Sequence, residues 1–270
     1  INRYLGTEKG RLVLDPFCGS GTTLVEGLLA GHNVIGMDID PLSAMIAKVK
    51  TTPIDVPQLE IITQWIASEL EKQTRSGMFK PACTNIGHWF TTDAVCKLSL
   101  IRTLIDEIPE RFGHVHQNKD IFDLLLICFS SIIRRVSNAD NESQKTYVSH
   151  TKVKEPEETI HLFLDQLSFF KQRIAEFSVL VDTSLSRQII CSSSIECLET
   201  KLGGKVIDLV ITSPPYIKAI DYIYNQMVEL FWIGDLFDMQ TQSKQNARKE
   251  YYIVPPEIFR FALGGKLVSP

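Results

Sequence analysis

At 270 residues, 44% hydrophobic and 22% charged, the chain has the composition of an ordinary soluble globular protein, long enough for one α/β domain with an insertion. Its longest apolar run, Leu124 to Phe129, is far short of the roughly 20 residues a membrane-spanning helix needs, and no signal-peptide pattern opens it, so a cytoplasmic protein is expected. A net charge of −4 excludes a broadly basic surface, and six cysteines without CxxC spacing argue for reduced thiols and against a disulfide framework or a zinc site.

The first 50 residues read as a β-α-β unit. RLVLD (11–15) is a short buried strand, PFCGSG (16–21) a glycine turn, and TTLVEGLLAG a helix that stops at Gly31. NVIGMD (33–38) is the second strand, and Asp40-Pro41, an N-cap followed by proline at the first helical position, launches PLSAMIAKVK. Asp38 ends the second strand about 20 residues after the glycine turn, where such folds place a carboxylate on a ribose hydroxyl pair. A dinucleotide fingerprint would put its third glycine where Leu24 stands, which disfavours pyrophosphate. S-adenosylmethionine carries a ribose and no phosphate. Its carboxylate suits the helix N-terminus at Thr22-Thr23, and its ammonium suits Asp15.

Roughly 135 residues then separate the second strand from the third, far more than a strand-to-helix connection needs, so 51–186 is expected to be an insertion. LEIITQWIASELEKQ, AVCKLSLIRTLIDEI, IFDLLLICFSSIIRRV and ETIHLFLDQLSFFKQRIAEF repeat apolar residues at i, i+3, i+4 and are helical. Arg134-Arg135 beside Ser137-Asn138 reads either as a phosphate-contacting patch or as a solvated helix end. Trp89-Phe90 is better read as core than as a base-stacking platform, and His114 and His116, two apart in a polar loop, do not make a metal site.

RQIIC (187–191) is the third strand and leads into a serine run. DLVIT (208–212) is the fourth, and it stops at Ser213-Pro214-Pro215-Tyr216, where two prolines forbid strand continuation. AIDYIYNQMVELFWIGDLF follows as an amphipathic helix that would pack on the sheet or line a base pocket, and FALGGKLVSP reads as the turn into a fifth strand. Ile1 in place of Met, and a sheet with strands still to come, suggest a fragment lacking its final strands and target-recognition region.

DPFCGSGTT followed by GMDIDP resembles the cofactor motifs of class I S-adenosylmethionine-dependent methyltransferases. SPPY resembles the catalytic motif of those that methylate exocyclic amines in DNA, the N4-cytosine and N6-adenine class of prokaryotic restriction-modification systems. GHWF and FSSIIRRVSNAD resemble a subgroup with a long helical spacer between the two motifs. The resemblance implies a Rossmann-like parallel sheet with a helical insertion between its second and third strands, 1–50 forming the cofactor-binding half and 187–270 the catalytic half. It implies S-adenosylmethionine against Asp15, Phe17, Gly19, Gly21 and Thr22, with Asp38 on the ribose, Ile39 on the adenine face, and Ser193 where relatives often carry an acid for the adenine amine. Ser213, Pro214, Pro215 and Tyr216 would act on a base flipped from double-stranded DNA. Tyr222 is a second stacking candidate, and a cognate endonuclease or companion subunit is a possible partner. Serine ahead of Pro-Pro-Tyr usually accompanies cytosine N4 methylation. Adenine N6 methylation, an RNA amine substrate, and a non-catalytic cofactor- or DNA-binding homologue are the alternatives.

Overall fold

The computed structural model describes residues 1–72, 77–140, 146–149, 151, 154–192, 202, 204–213 and 222–237. They fall into two compact units. After a single helical turn, α1 (Asn2–Leu5), the first unit holds a parallel sheet of β1 (Leu12–Asp15), β2 (Asn33–Asp38), β3 (Arg187–Cys191) and β4 (Leu209–Val210), in the order β3-β2-β1-β4. Val13 pairs with both Val34 and Leu209, so β1 is central. Val13, Leu14, Val34, Ile35 and Met37 are almost fully buried, as a parallel sheet covered on both faces requires. The expected α/β class with a Rossmann-like strand order is therefore what the chain adopts.

Two helices of this unit follow the sequence signals closely. α2 (Thr22–Leu29) begins at Gly21 in the left-handed conformation, and α3 (Pro41–Thr51) begins at Asp40, whose carboxylate accepts from Ser43 N at 3.0 Å. The approach of α2 to the sheet is tight. A side chain on Gly36 would collide with Leu24 Cδ1 and sit 3.0 Å from Cys18 Sγ, and one on Gly27 would lie 2.7 Å from Val34 Cγ1. The glycine that permits close helix-strand packing is thus on the strand, Gly36, and the helix fills the space with a fully buried Leu24.

Between β2 and β3 run α4 (Val56–Lys72), α5 (Ile86–Trp89), α6 (Thr92–Asp106), α7 (Ile108–Arg111), α8 (Asn118–Val136) and α9 (Thr159–Leu180). The second unit comprises the described residues of 54–173 together with 222–237. The segment 222–237 packs with these helices, whereas the sequence reading groups it with the catalytic half. The reason is its apolar content: Val228, Leu230, Phe231, Trp232 and Ile233 are buried, and the Trp232 ring meets Phe90 at 5.7 Å and Phe129 at 6.1 Å between centroids. An aromatic of this size withdraws about 150–250 Å² from water, worth roughly 4–6 kcal/mol at about 25 cal/mol per Å² before entropic costs. Trp89 and Phe90 are buried in the same cluster, in keeping with their reading as core.

The post-motif segment is two helices where one was expected. α10 (Tyr222–Asn225) and α11 (Met227–Ile233) are separated at Gln226, and a 3₁₀ turn, Gly234–Phe237, follows. The fifth strand expected near residue 262 lies outside the described residues. Among the described residues no helix is long and apolar enough to cross a membrane.

Candidate active site

In an open parallel sheet a ligand sits beyond the carboxyl ends of the strands, where the strand order reverses. Here that point is β1, which passes the chain to β2 on one side and receives β4 on the other. Asp15 ends β1 and is buried, and its Oδ1 accepts from Phe17 N at 3.1 Å, which turns the chain off the strand. Cys18 N donates to the Met37 carbonyl at 2.8 Å and Gly21 N to the Cys18 carbonyl at 2.8 Å, so the glycine loop is tied to the end of β2 and closed on itself.

Both loop glycines have positive φ, Gly19 at 49° and Gly21 at 83°. They meet different surroundings. A Cβ on Gly21 would lie 2.9 Å from the backbone and side chain of Ala47 in α3, whereas one on Gly19 would meet nothing within 4 Å. Gly21 is the packing glycine, and Gly19 borders open space. Phe17 and Thr22 are exposed at the same edge, and α2 presents its N-terminus with no side-chain cap. From behind the loop, Lys50 Nζ reaches Ser20 Oγ at 3.2 Å.

Asp38 carries more than its sequence position announces. Its Oδ2 accepts from Gly19 N at 2.8 Å and its Oδ1 from Asp40 N at 2.9 Å, so one carboxylate builds both the glycine loop and the entry to α3. Burial pushes this carboxyl above its ordinary range while the two backbone donors pull it back. A carboxylate offers about four lone-pair sites, so with two used Asp38 retains acceptor capacity for a hydroxyl pair. Ile39 is half-buried beside it, and Ser192 N donates to the Asp38 carbonyl at 2.9 Å, bringing the end of β3 to the same edge. The next residue, Ser193, lies outside the described residues.

Cys18 is buried beneath the loop, and its thiol is pushed up to about 12, first by desolvation and then by the nearby Asp38 and Asp15 carboxylates. It is a packing group, with no thiolate available as a nucleophile.

On the other side of β1, Asp208 N donates to the Leu12 carbonyl and Ile211 N to the Leu14 carbonyl, each at 3.0 Å. The fourth strand therefore stays in register with β1 to the carboxyl edge, and Ser213 emerges there, exposed. Pro214, Pro215 and Tyr216 lie outside the described residues, as does the side chain of Tyr222.

The basic pair in the second unit is engaged within the protein. Arg135 pairs with Glu157 through two bonds of 2.8 and 2.7 Å. Arg134 donates to the Asp140 carbonyl at 2.9 Å and to the Asn225 carbonyl at 3.2 Å. Among the described residues no cluster of His, Cys, Asp or Glu could hold a metal ion.

Sequence reasoning missed Gly36, Ala47, Lys50 and the loop-building bonds of Asp38. Gly36 left a signal, a glycine inside an otherwise apolar strand, which marks a close approach. The donor set suits S-adenosylmethionine: a glycine cradle with open space at Gly19, an uncapped helix N-terminus for a carboxylate, and a carboxylate with spare acceptors for the ribose.

A family model for DNA methylase matches residues 4–48. The chain is 31% identical over 251 residues to the type II methyltransferase M.MvaI of Kocuria varians, an alignment covering 86% of this chain and 52% of that protein. It is 28% identical over 265 residues to the type II methyltransferase M.BsoBI of Geobacillus stearothermophilus, covering 85% and 48%. A 53-residue stretch is 47% identical to the type II methyltransferase M.MjaII of Methanocaldococcus jannaschii, covering 20% and 10%. The chain thus spans about half the length of the first two relatives. No solved structure matches it. The parallel sheet, the glycine loop and Asp38 accompany this similarity to type II methyltransferases and to the DNA methylase family model.

Proposed function

We propose that this chain forms the core of an enzyme that moves a methyl group from S-adenosylmethionine to the exocyclic amine of a flipped base in double-stranded DNA, cytosine N4 being the acceptor. One observation carries the reading: neighbouring parallel strands β1 and β4 deliver the glycine loop and the first residue of SPPY to the same carboxyl edge. Type II methyltransferases of this family use S-adenosylmethionine as methyl donor, and when bound it supplies an electrophilic methyl on a sulfonium. Asp15, Gly19, Gly21 and Thr22 would hold its amino-acid end, Asp38 its ribose, and Phe17, Ile39 and Ser193 the remainder.

The chemistry asked of SPPY follows from the acceptor. An exocyclic amine is a poor nucleophile because its lone pair is delocalised into the ring. The Ser213 hydroxyl and the Pro214 carbonyl would each accept an amine N–H, localising the pair on nitrogen and aiming it. Pro215, with its fixed φ, would stiffen the chain between them and Tyr216, whose ring would stack on the extruded base. As the N–C bond forms, transfer would break the S–CH3 bond of the sulfonium, leaving a neutral thioether, and the proton lost from the amine would pass by way of these acceptors to solvent water. No cysteine follows the prolines, which removes the nucleophile that attack on a ring carbon needs.

Chromatography of nucleosides from DNA of cells expressing the full-length protein tests the proposal, with N4-methylcytosine expected. N6-methyladenine alone would overturn the choice of base and leave the amine chemistry standing. Cofactor binding without any DNA methylation would point to the non-catalytic homologue, and methylation confined to RNA would move the substrate class.

A further inference from the structure

Three consecutive residues of the glycine loop are held by three different means, all supplied by the stretch from Asp38 to Lys50. Gly19 N donates to Asp38 Oδ2 at 2.8 Å. Gly21, at φ 83°, comes so close to Ala47 of α3 that a Cβ on it would lie 2.9 Å from both Cα and Cβ of that alanine. Between the two, the exposed Ser20 accepts at Oγ from Lys50 Nζ at 3.2 Å. Ala47 and Lys50 are three residues apart and share one face of α3, so the face that seats Gly21 also carries the lysine that reaches Ser20. Glycines give the loop its positive φ angles and hold it least, since they lose the most freedom on ordering and have no side chain to anchor. Ser20 is the one side chain between them, and so the one handle by which that part of the loop can be fixed from outside.

Two effects oppose the position of Lys50. Partial burial disfavours its charge, and Ser20 stands just ahead of α2, whose N-terminus is the positive end of the helix dipole. Among the described residues its ammonium meets no carboxylate, so ion pairing does not explain where it points. A lysine stem is flexible enough to turn such a head out to water. Here the head is turned onto the serine, and an ammonium has hydrogens only to give, so the contact fixes Ser20 Oγ as an acceptor and the loop with it.

We infer that Lys50, outside the glycine motif, is a positioning residue for the cofactor loop: through Ser20 it holds Gly19–Gly21 in the shape that receives the methionine end of S-adenosylmethionine. The inference rests on the cofactor reading of the proposed function, and the test separates the two. In the full-length protein, Lys50→Met keeps the stem and removes the donor. The dissociation constant for S-adenosylmethionine, read by calorimetric titration, should rise about three- to tenfold, the range that one lost hydrogen bond at a partly exposed site allows. KM for the cofactor should rise by a similar factor while kcat moves less. A merely structural lysine would lower the folded fraction, and with it kcat at saturation, and leave KM where it was. Ser20→Ala should weaken binding as much as Lys50→Met, and the double variant no further, because both remove the same bond. Lys50→Arg, which keeps a charged donor, should recover most of the loss. Hydrogen exchange in the peptide covering 16–24 of the cofactor-free protein should quicken in Lys50→Met, a readout that needs neither cofactor nor methyl transfer. Unchanged cofactor affinity in Lys50→Met, or losses that multiply in the double variant, would overturn the inference, and so would a loss of DNA affinity alone, which would make Lys50 a phosphate contact. A wild type that bound no S-adenosylmethionine would overturn the cofactor reading itself, whereas unaltered exchange in Lys50→Met beside a wild type that does bind would overturn the tether alone.

Discussion

Asp38 offers the sharpest test of the cofactor site, because one side chain there supports two separable functions. Asp38→Ala leaves Gly19 N and Asp40 N without their acceptors. Hydrogen bonds to a charged group are worth roughly 1.5–3 kcal/mol each, giving a gross loss of about 3–6 kcal/mol. Two effects reduce it: water reaches this edge of the sheet, and the carboxylate's own burial, which raises its pKa, is relieved. A net destabilisation of about 2–3 kcal/mol follows, and at roughly 2–4 °C per kcal/mol for a domain of this class the melting temperature should fall by about 4–12 °C. Asp38→Asn should fall less, since the amide oxygen serves one N–H while its NH₂ confronts the other donor.

Calorimetric titration with S-adenosylmethionine reads the second function. If the remaining lone pairs accept from the ribose, Asp38→Asn should weaken binding by about 1.5–3 kcal/mol, ten- to a hundredfold or somewhat more, even though its loop is largely preserved. An unshifted melting curve for Asp38→Ala would refute the loop-building role. A loss of stability with cofactor affinity intact would refute the ribose role and leave Asp38 as a structural acid.

Gly36→Ala should cost about 1–3 kcal/mol through collision with Leu24 and Cys18, and Leu24→Ala in the same chain should relieve that collision, so a thermal double-mutant cycle that came out additive would deny the trade between strand and helix. Burial pushes the Glu229 carboxyl up to about 7, against the pull of Arg134, so the folded protein binds this proton more tightly than the unfolded chain does. Its stability contribution is full below the unfolded value near 4.5 and is lost as pH rises to about 7, so Glu229→Gln should gain at most about 3 kcal/mol over wild type at pH 8 and little at pH 4, with equal gains at both pH values refuting the assignment. Tyr216→Ala and Pro214→Ala should leave cofactor affinity nearly intact while methyl transfer drops steeply; undiminished transfer in both would mean that the strand stops at SPPY for structural reasons alone.

The β-α-β unit was legible because its signals are local. Alternating turn and apolar residues bound β1 and β2, Asp40-Pro41 starts α3 as read, and the periodicity of the insertion gives α4, α6, α8 and α9 within a few residues. What the sequence hid depends on contacts between distant positions. The absence of a third glycine at Leu24 was read as chemistry, an argument against pyrophosphate, and it has a packing side as well: Gly36 in β2 supplies the close approach, and Leu24 fills it. The break at Gln226 is hidden too, because the apolar pattern of 219–237 runs through it without interruption while Arg134 of α8 and the buried Thr146 take the Asn225 carbonyl.

Arg134-Arg135 shows where a charge-based reading stops. Two adjacent arginines at a helix end have the same appearance whether they face phosphate, solvent or protein, since charge is visible in sequence and its partner is not. The structure separates them by acceptor type. Arg135 meets a carboxylate, Glu157, in a half-exposed pair of the kind worth about 0–1 kcal/mol, which a competing phosphate could replace at little cost. Arg134 meets the Asp140 and Asn225 carbonyls and the buried Thr146 hydroxyl, and withdrawing it would remove several of these bonds at once, each worth about 0.5–3 kcal/mol. Of the two, only Arg135 is free to change partners without disturbing the fold, so a DNA contact from this pair belongs to Arg135. Arg135→Ala should then lower DNA affinity and shallow its salt dependence by about one phosphate, with kcat at saturating DNA unchanged. A loss of kcat in Arg135→Ala with DNA affinity intact would refute the phosphate contact.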